Sequence, residues 1–104
     1  MDYFAYKNNK LYCEDVDLQD IAMQYGTPCY VYSKKTLERH VDVYKKAFKS
    51  KDNLICFSVK SLSNISILEF INKKGCGFDV VSGGELKRVL HVGADPKKII
   101  FSGV

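Results

Sequence analysis

Three short apolar runs, set at nearly even spacing, limit the folds open to this 104-residue chain. They occupy residues 54–59, 77–81 and 98–101, and the segments between them carry apolar residues at helical spacing. Helical crossovers of this kind join parallel strands, and strands that are apolar on both faces are typical of a parallel sheet covered by helices. The pattern therefore predicts an α/β fold built from parallel β-α units.

The number of predicted strands is too small for a closed barrel. An eight-fold barrel takes about 250 residues, whereas this chain supplies only three or four barrel strands. We therefore predict a partial (β/α)8 TIM-type barrel, the N-terminal piece of a larger protein. The alternative is a small open sheet that folds alone, although it would leave an apolar edge and an uncovered sheet face.

The first residues of the chain show a different pattern. Residues 3–13 alternate around an asparagine-rich turn, which predicts an N-terminal β-hairpin. We place a domain boundary after this hairpin: residues 1–15 form an N-terminal β segment, and residues 16–104 form the N-terminal part of the barrel.

Between the hairpin and the first apolar run, capping signals predict two helices and a strand. Asp17 is expected to cap a helix that ends at Gly26. A short strand over 29–32 follows. Ser33 is then expected to cap a longer helix over 34–49, which carries apolar residues at helical spacing.

Composition and charge exclude several classes of partner. The net charge is +4, but the lysines are scattered and do not form the basic stripe that nucleic-acid binding requires. No apolar stretch approaches the roughly 20 residues needed to cross a membrane, and the N-terminus lacks the pattern of a secretion signal. None of the four cysteines forms a C-x-x-C pair, although a disulfide at Cys13 or Cys76 stays open. We expect a reduced, cytoplasmic protein that binds neither nucleic acid nor membrane.

Lys60 is the strongest candidate for chemistry, because it ends an apolar strand and packing alone does not explain it. Alternation along the strand places Lys60, Ser58 and Cys56 on the face that points into a barrel. Active sites form at the C-terminal ends of barrel strands, where a buried amine of lowered pKa can form a Schiff base with an aldehyde. Asp79 on the next strand, or Glu85, is placed to orient that amine. The alternative is a lysine that ends a strand and reaches solvent.

Two further features give weaker signals. The Ser82-Gly83-Gly84 turn joins a strand to a helix, where backbone N–H groups can hold an anion, but such a turn also serves as a simple tight bend. His40 and His91 fall among charged residues on predicted helices, and we interpret both as surface positions. Neither a metal site nor a serine–histidine–acid arrangement can be assembled from them.

Four stretches of the chain resemble blocks of the pyridoxal-phosphate-dependent decarboxylases that share the alanine racemase-like fold. The lysine motif of that family is similar to CFSVKSLSN at 56–64. Its next block, as it occurs in the diaminopimelate decarboxylases, is similar to GFDVVSGGEL at 77–86. The resemblance extends to IFSGV at 100–104 and to YGTPCYVYS at 25–33, so that it covers nearly the whole chain.

The resemblance implies that Lys60 forms the Schiff base with pyridoxal 5′-phosphate and that Asp79 binds this cofactor. Glu85 matches a second acidic position near the Schiff base in related decarboxylases. The implied reaction is decarboxylation of an amino acid, meso-diaminopimelate, to L-lysine by a homodimer. The hairpin over 3–13 would belong to a C-terminal β-domain that is absent here, as are the groups that hold the cofactor phosphate. The 104-residue chain alone is therefore expected to turn over little or no substrate.

Two other hypotheses stay open. Ser61-Leu62 follows the lysine where the commonest family pattern is Ala-Asn, and relatives acting on ornithine, arginine or carboxynorspermidine share the lysine block. Another decarboxylase or racemase of the same fold is therefore one alternative. A non-catalytic small α/β module is the other.

Overall fold

The computed structural model describes residues 2–49 and 52–104. Contacts within the chain divide it into two compact units, Met1–Val43 and Tyr44–Val104. The first unit contains an antiparallel sheet and the second a parallel sheet, so the two units differ in how their strands pair.

The first unit opens with a three-stranded antiparallel sheet. Its strands are β1 (Phe4–Lys7), β2 (Lys10–Cys13) and β3 (Val16–Asp17), paired in that order. Asn8 and Asn9 have φ values of 51° and 62°, which a tight turn between β1 and β2 requires and asparagine tolerates. The predicted hairpin is confirmed, and β3 extends it by a third strand.

The first helix, α1, spans Leu18–Tyr25 and begins at the predicted cap. One oxygen of the buried Asp17 carboxylate accepts a hydrogen bond from the Gln19 N–H at 2.9 Å, and the other accepts one from Lys10 Nζ at 3.0 Å. These two bonds lower the pKa of Asp17, the backbone N–H being the larger cause. Gly26, at φ 82°, ends the helix as predicted, because glycine adopts this conformation without steric cost.

The second helix, α2, spans Lys34–Ala47, and two side chains hold its N-terminus. Ser33 Oγ accepts a hydrogen bond from the Thr36 N–H at 3.0 Å, which confirms Ser33 as the cap. Glu14 Oε1, from the turn between β2 and β3, accepts bonds from Ser33 Oγ and from the Lys35 N–H, both at 2.8 Å. The Lys35 N–H, followed by the Ser33 hydroxyl, lowers the pKa of the Glu14 carboxyl.

Replacing Glu14 by glutamine is expected to lower stability at neutral pH and to remove part of its pH dependence. Because the folded-state pKa of Glu14 lies below its ordinary value of 4.5, its stabilisation is complete above that value and is lost as the pH falls through the folded pKa. In urea unfolding, wild type and Glu14→Gln should differ at neutral pH and converge in acid. Asp20→Asn, which removes an equal charge from an exposed position on α1, is the control. A constant difference at all pH values would contradict the prediction.

Residues 29–32 do not form the predicted strand. The segment is irregular, and Tyr30 is 90% exposed, with its ring stacked on that of Tyr32 at 6.3 Å between centroids. An apolar run becomes a strand only where a second strand supplies hydrogen bonds, and within residues 2–49 and 52–104 no strand pairs with this one. The prediction was wrong because pairing is not a local property of the sequence.

The second unit alternates strands and helices around a parallel sheet. Its strands are β4 (Cys56–Ser58), β5 (Gly77–Val80) and β6 (Ile99–Phe101), hydrogen-bonded in the order β4-β5-β6. Helix α3 (Ile65–Lys73) joins β4 to β5, and helix α4 (Gly83–His91) joins β5 to β6. The predicted parallel β-α units are therefore confirmed.

The core of the second unit lies between the sheet and these two helices. Phe78 on β5, Leu68 on α3, Val89 on α4 and Val59 directly after β4 are each less than 2% exposed. Burial of one such side chain stabilises a fold by about 1.5–3 kcal/mol. The bulky strand side chains thus pack under the helices, as the alternation along the strands predicted.

The opposite face of the parallel sheet carries smaller and more polar side chains. Cys56 pairs with Gly77, Ser58 pairs with Asp79, and Asp79 pairs with Ile100 on the far side. Residues paired across a parallel sheet share a face, so these five belong to one surface. Ile100 is 52% exposed, which shows that this surface is open there.

Candidate functional site

Lys60 lies two residues after the end of β4, at the carboxyl edge of the parallel sheet. The chain leaves the strand at Ser58 and forms a single 3₁₀ turn, Val59–Ser61, which packs against β5. Asp79 on β5 is aligned with Ser58. The two predicted site residues, one on β5 and one in the turn that follows β4, therefore lie at the same edge of the sheet, the edge at which barrel enzymes form their active sites.

Lys60 is exposed, so the prediction of a buried amine was wrong. The strand was expected to continue through Lys60, but the 3₁₀ turn ends the alternation of faces at Ser58. The sheet surface around Ile100 is exposed as well, so it does not cover the Lys60 side chain. The amine is accordingly accessible to a small molecule from solvent.

Asp79 is half-buried, and one of its oxygens has no partner. Oδ1 is buried without a hydrogen bond, and within residues 2–49 and 52–104 no ion pair joins the carboxylate to Lys60. A buried acceptor left without a donor costs about 1–3 kcal/mol. The site thus holds an acceptor that an N–H or a cationic group would satisfy.

Cys56 shares the face of Asp79. Burial raises the pKa of the Cys56 thiol, and the neighbouring Asp79 carboxylate raises it further. Because the thiolate is the reactive form, Cys56 acts here as a small apolar side chain. Cys13, Cys29 and Cys76 are unpaired as well.

Glu85 binds the backbone at the start of α4. Its Oε2 accepts a hydrogen bond from the Val81 N–H at 2.8 Å, and its own N–H donates to Ser82 Oγ at 3.2 Å. The arrangement resembles a capping box in which the carboxylate reaches one residue further back. The Glu85 carboxylate is therefore engaged by the end of β5 and not by Lys60.

The glycines of the Ser82-Gly83-Gly84 turn are not required by the path of the backbone. Neither glycine has a positive φ, and a Cβ added at Gly83 would meet nothing within 4 Å. The turn opens α4 as predicted, with Ser82 as the N-cap. The chain bends at Val81 and Ser82 before α4 begins, in agreement with the interpretation as a tight bend, although the bend does not require glycine at either position.

Hydrogen bonds hold both ends of the segment between the Lys60 turn and α3. Ser61 Oγ donates to the Ser58 carbonyl at 2.7 Å. Asn64 Oδ1 caps α3 and accepts from the N–H groups of Ser66 at 3.0 Å and Ile67 at 3.3 Å. The serine after the lysine, where the commonest pattern has alanine, therefore has a structural role of its own.

Arg88 on α4 is a residue that the sequence did not single out. Its Nη1 donates a hydrogen bond to the Ser63 carbonyl at 3.2 Å, between residues that are 25 positions apart. The only local signal is its place three residues after Glu85, on the same face of a helix. This contact brings α4 to the segment that follows Lys60.

The histidines lie at the surface, as predicted: His40 and His91 are both exposed. Within the described ranges, 2–49 and 52–104, no three His, Cys, Asp or Glu side chains are grouped so that they could hold a metal ion. In the same residues no helix combines the length and the apolar character that crossing a membrane demands.

Residues 34–104 match the model of a known family, the pyridoxal binding domain of pyridoxal-dependent decarboxylases. The matched segment begins at the first residue of α2 and includes the whole parallel sheet. It therefore contains both Lys60 and Asp79.

The whole chain is also similar to proteins named diaminopimelate decarboxylase. It is 56% identical over 104 residues to that of Haemophilus influenzae and 51% identical over 105 residues to that of Vibrio cholerae. Each match covers 100% of this chain and 25% of the relative. The chain thus spans about a quarter of the length of the curated relatives it matches.

A solved structure shows the same fold. Diaminopimelate decarboxylase from M. jannaschii, in complex with L-lysine, matches with a TM-score of 0.93 at 32% identity, over 98% of this chain and 25% of that one. The partial α/β barrel predicted from the spacing of the strands is therefore confirmed.

Proposed function

The chain belongs to the pyridoxal-dependent decarboxylase family, and on that premise we propose that it forms part of an enzyme that decarboxylates meso-diaminopimelate to L-lysine. In this proposal Lys60 binds pyridoxal 5′-phosphate covalently and Asp79 contacts the cofactor. The observation that supports it best is the unpartnered Asp79 oxygen at the sheet edge where Lys60 follows β4.

Lys60 suits covalent binding of an aldehyde. Its side chain is exposed, so a ligand can reach the ε-amine, and a primary amine condenses with an aldehyde with loss of water. When bound, pyridoxal phosphate withdraws electrons from the substrate carbon that loses carbon dioxide. The task of Lys60 is to fix the position of that group at the edge of the sheet.

Asp79 suits a ligand that carries a proton or a positive charge. Its Oδ1 is buried and has no donor of its own, and a protonated nitrogen of the bound cofactor would supply one. Hydrogen bonds between charged groups are shorter and stronger than neutral ones. The same bond would remove the cost of the unpaired oxygen.

The choice of substrate is supported by the relatives. The relatives from H. influenzae and V. cholerae carry the name diaminopimelate decarboxylase, and the M. jannaschii structure holds L-lysine, the product of the proposed reaction. We infer the same small amino-acid substrate here.

The proposal extends to organisation and assembly. We infer that residues 1–15 are an N-terminal β segment of a separate β-domain and that residues 16–104 belong to the barrel. A separate β segment is supported by the antiparallel sheet near the N-terminus, which extends past residue 15 to include β3, and a barrel portion is supported by the parallel sheet of the second unit. The complete enzyme is proposed to be a homodimer that serves lysine biosynthesis in the cytoplasm.

Decarboxylation by the complete gene product that carries this chain is the direct test. With pyridoxal phosphate present, we expect release of carbon dioxide and L-lysine from meso-diaminopimelate at least about 100-fold faster than release of carbon dioxide from ornithine or arginine, because a site built for the distal polar groups rejects analogues that lack them. A preference for ornithine or arginine would reassign the substrate. A cofactor-loaded protein that decarboxylates none of the three would contradict the proposed reaction.

A further inference from the structure

Helix α4 is hydrogen-bonded to both segments that carry the proposed cofactor residues. In its first turn Glu85 Oε2 accepts the Val81 N–H at 2.8 Å, and in the next turn Arg88 Nη1 donates to the Ser63 carbonyl at 3.2 Å. Glu85 and Arg88 are three positions apart and so project from the same face of the helix. One helix face therefore contacts the end of β5 and also the segment after β4.

Its hydrogen bond to the end of β5 fixes the position of α4 relative to that strand. The Val81 N–H donates to the Glu85 carboxylate. The adjacent Val80 carbonyl accepts a hydrogen bond from the Ser102 N–H at 3.1 Å. Val89 of α4 is completely buried, which holds this part of the helix in the core. A segment that is hydrogen-bonded to this helix face is therefore held at a fixed position relative to β5, the strand that carries Asp79.

The second contact restrains the segment that contains Lys60. Ser63 lies three residues after Lys60 and directly before Asn64, the N-cap of α3. The Arg88 guanidinium is planar and permanently charged, so its hydrogen bond to a carbonyl is stronger and more directional than a neutral one. Arg88 therefore limits how far the Ser63 carbonyl, and with it the short turn of Lys60, can move away from α4.

We propose that Arg88 is a positioning residue, which sets the Lys60 amine relative to Asp79 by tying the segment after Lys60 to α4. The inference rests on the proposed function, because this distance matters for turnover only if Lys60 binds the cofactor. A displacement of about 1 Å at a reacting group can lower a rate by as much as about 100-fold, although it costs the fold little. Arg88 acts in this way through the Ser63 carbonyl.

The test uses the complete gene product loaded with pyridoxal phosphate. Arg88→Met removes the donor from an exposed side chain, so the fold is expected to tolerate it, and Arg88→Lys keeps a positive charge and a donor. Lys87→Met is the matched control, since it removes one charge from the neighbouring exposed position of the same helix. The readouts are kcat and KM at saturating cofactor, the pH midpoint of the visible band of lysine-bound cofactor, and the melting temperature.

We expect Arg88→Met to lower kcat about tenfold with little change in KM and to shift the pH midpoint of the visible band. Arg88→Lys should recover most of the lost turnover, and Lys87→Met should match wild type. If Arg88→Met changes the melting temperature alone, while kcat and the pH midpoint stay at their wild-type values, the positioning role is wrong. If the wild-type protein shows no visible band that depends on Lys60, the proposed function itself fails, which is a distinct result.

Discussion

Replacing Lys60 by alanine is expected to lower decarboxylation by the complete gene product by roughly three orders of magnitude or more, because the variant has no amine with which to hold the cofactor covalently. The visible band of lysine-bound pyridoxal phosphate should disappear in the same protein. The fold should persist, since Lys60 is exposed and lies in a turn after the strand. Carbon dioxide release and an absorption spectrum measure the two effects, and circular dichroism checks the fold.

Two further variants make this result specific. Lys60→Arg keeps the positive charge, but its guanidinium stays protonated and does not condense with an aldehyde, so it should lose the band as completely as alanine does. Lys97→Ala removes an exposed lysine before β6 and should keep both the band and the turnover. A band that persists unchanged in Lys60→Ala would assign the cofactor to a different lysine.

Replacing Gly77 by alanine is expected to lower the free energy of unfolding by about 3 kcal/mol. A Cβ on Gly77 would overlap the Lys98 carbonyl oxygen and would lie 3.0 Å from Cys56 Sγ and 3.1 Å from Leu54 Cδ2. The two side chains can adjust, but the carbonyl belongs to the backbone beside β6 and has no rotamer through which to withdraw. The strands beside β5 would therefore have to move apart at the start of the sheet.

Gly83→Ala is the matched control for this prediction. A Cβ at Gly83 meets nothing within 4 Å, and this first residue of α4 has no positive φ. Its unfolding free energy should therefore stay at the wild-type value or rise by about 0.5 kcal/mol, because alanine restricts the unfolded chain. Urea unfolding of both variants measures the difference. Equal midpoints for Gly77→Ala and Gly83→Ala would show that the close approach at Gly77 is not a constraint.

Local signals were sufficient to predict most of the second unit. The apolar runs alternate with segments of helical spacing, and the structure has β4, α3, β5, α4 and β6 in the same order. The spacing of the apolar runs predicted the parallel order of the strands because a helical crossover permits little else. The same reasoning placed Lys60 and Asp79 at one edge of the sheet.

The failures have one physical cause, which is dependence on distant parts of the chain. The burial expected for Lys60 required the strand to continue, whereas a 3₁₀ turn against β5 ends it at Ser58. The expected strand over 29–32 required a partner that no local pattern can reveal. The contact between Arg88 and Ser63 joins positions 25 residues apart, and only the folded chain brings them together.

Strand β5 lies between β4 and β6, so its backbone is engaged along both sides, whereas the Lys60 turn lies past the end of the ladder. Segments held in this way open last when a fold fluctuates, and short turns open first. Under the proposed function, the carboxylate of Asp79 therefore belongs to the part of the sheet that opens last, whereas the position of the Lys60 amine depends on the contacts that hold its turn.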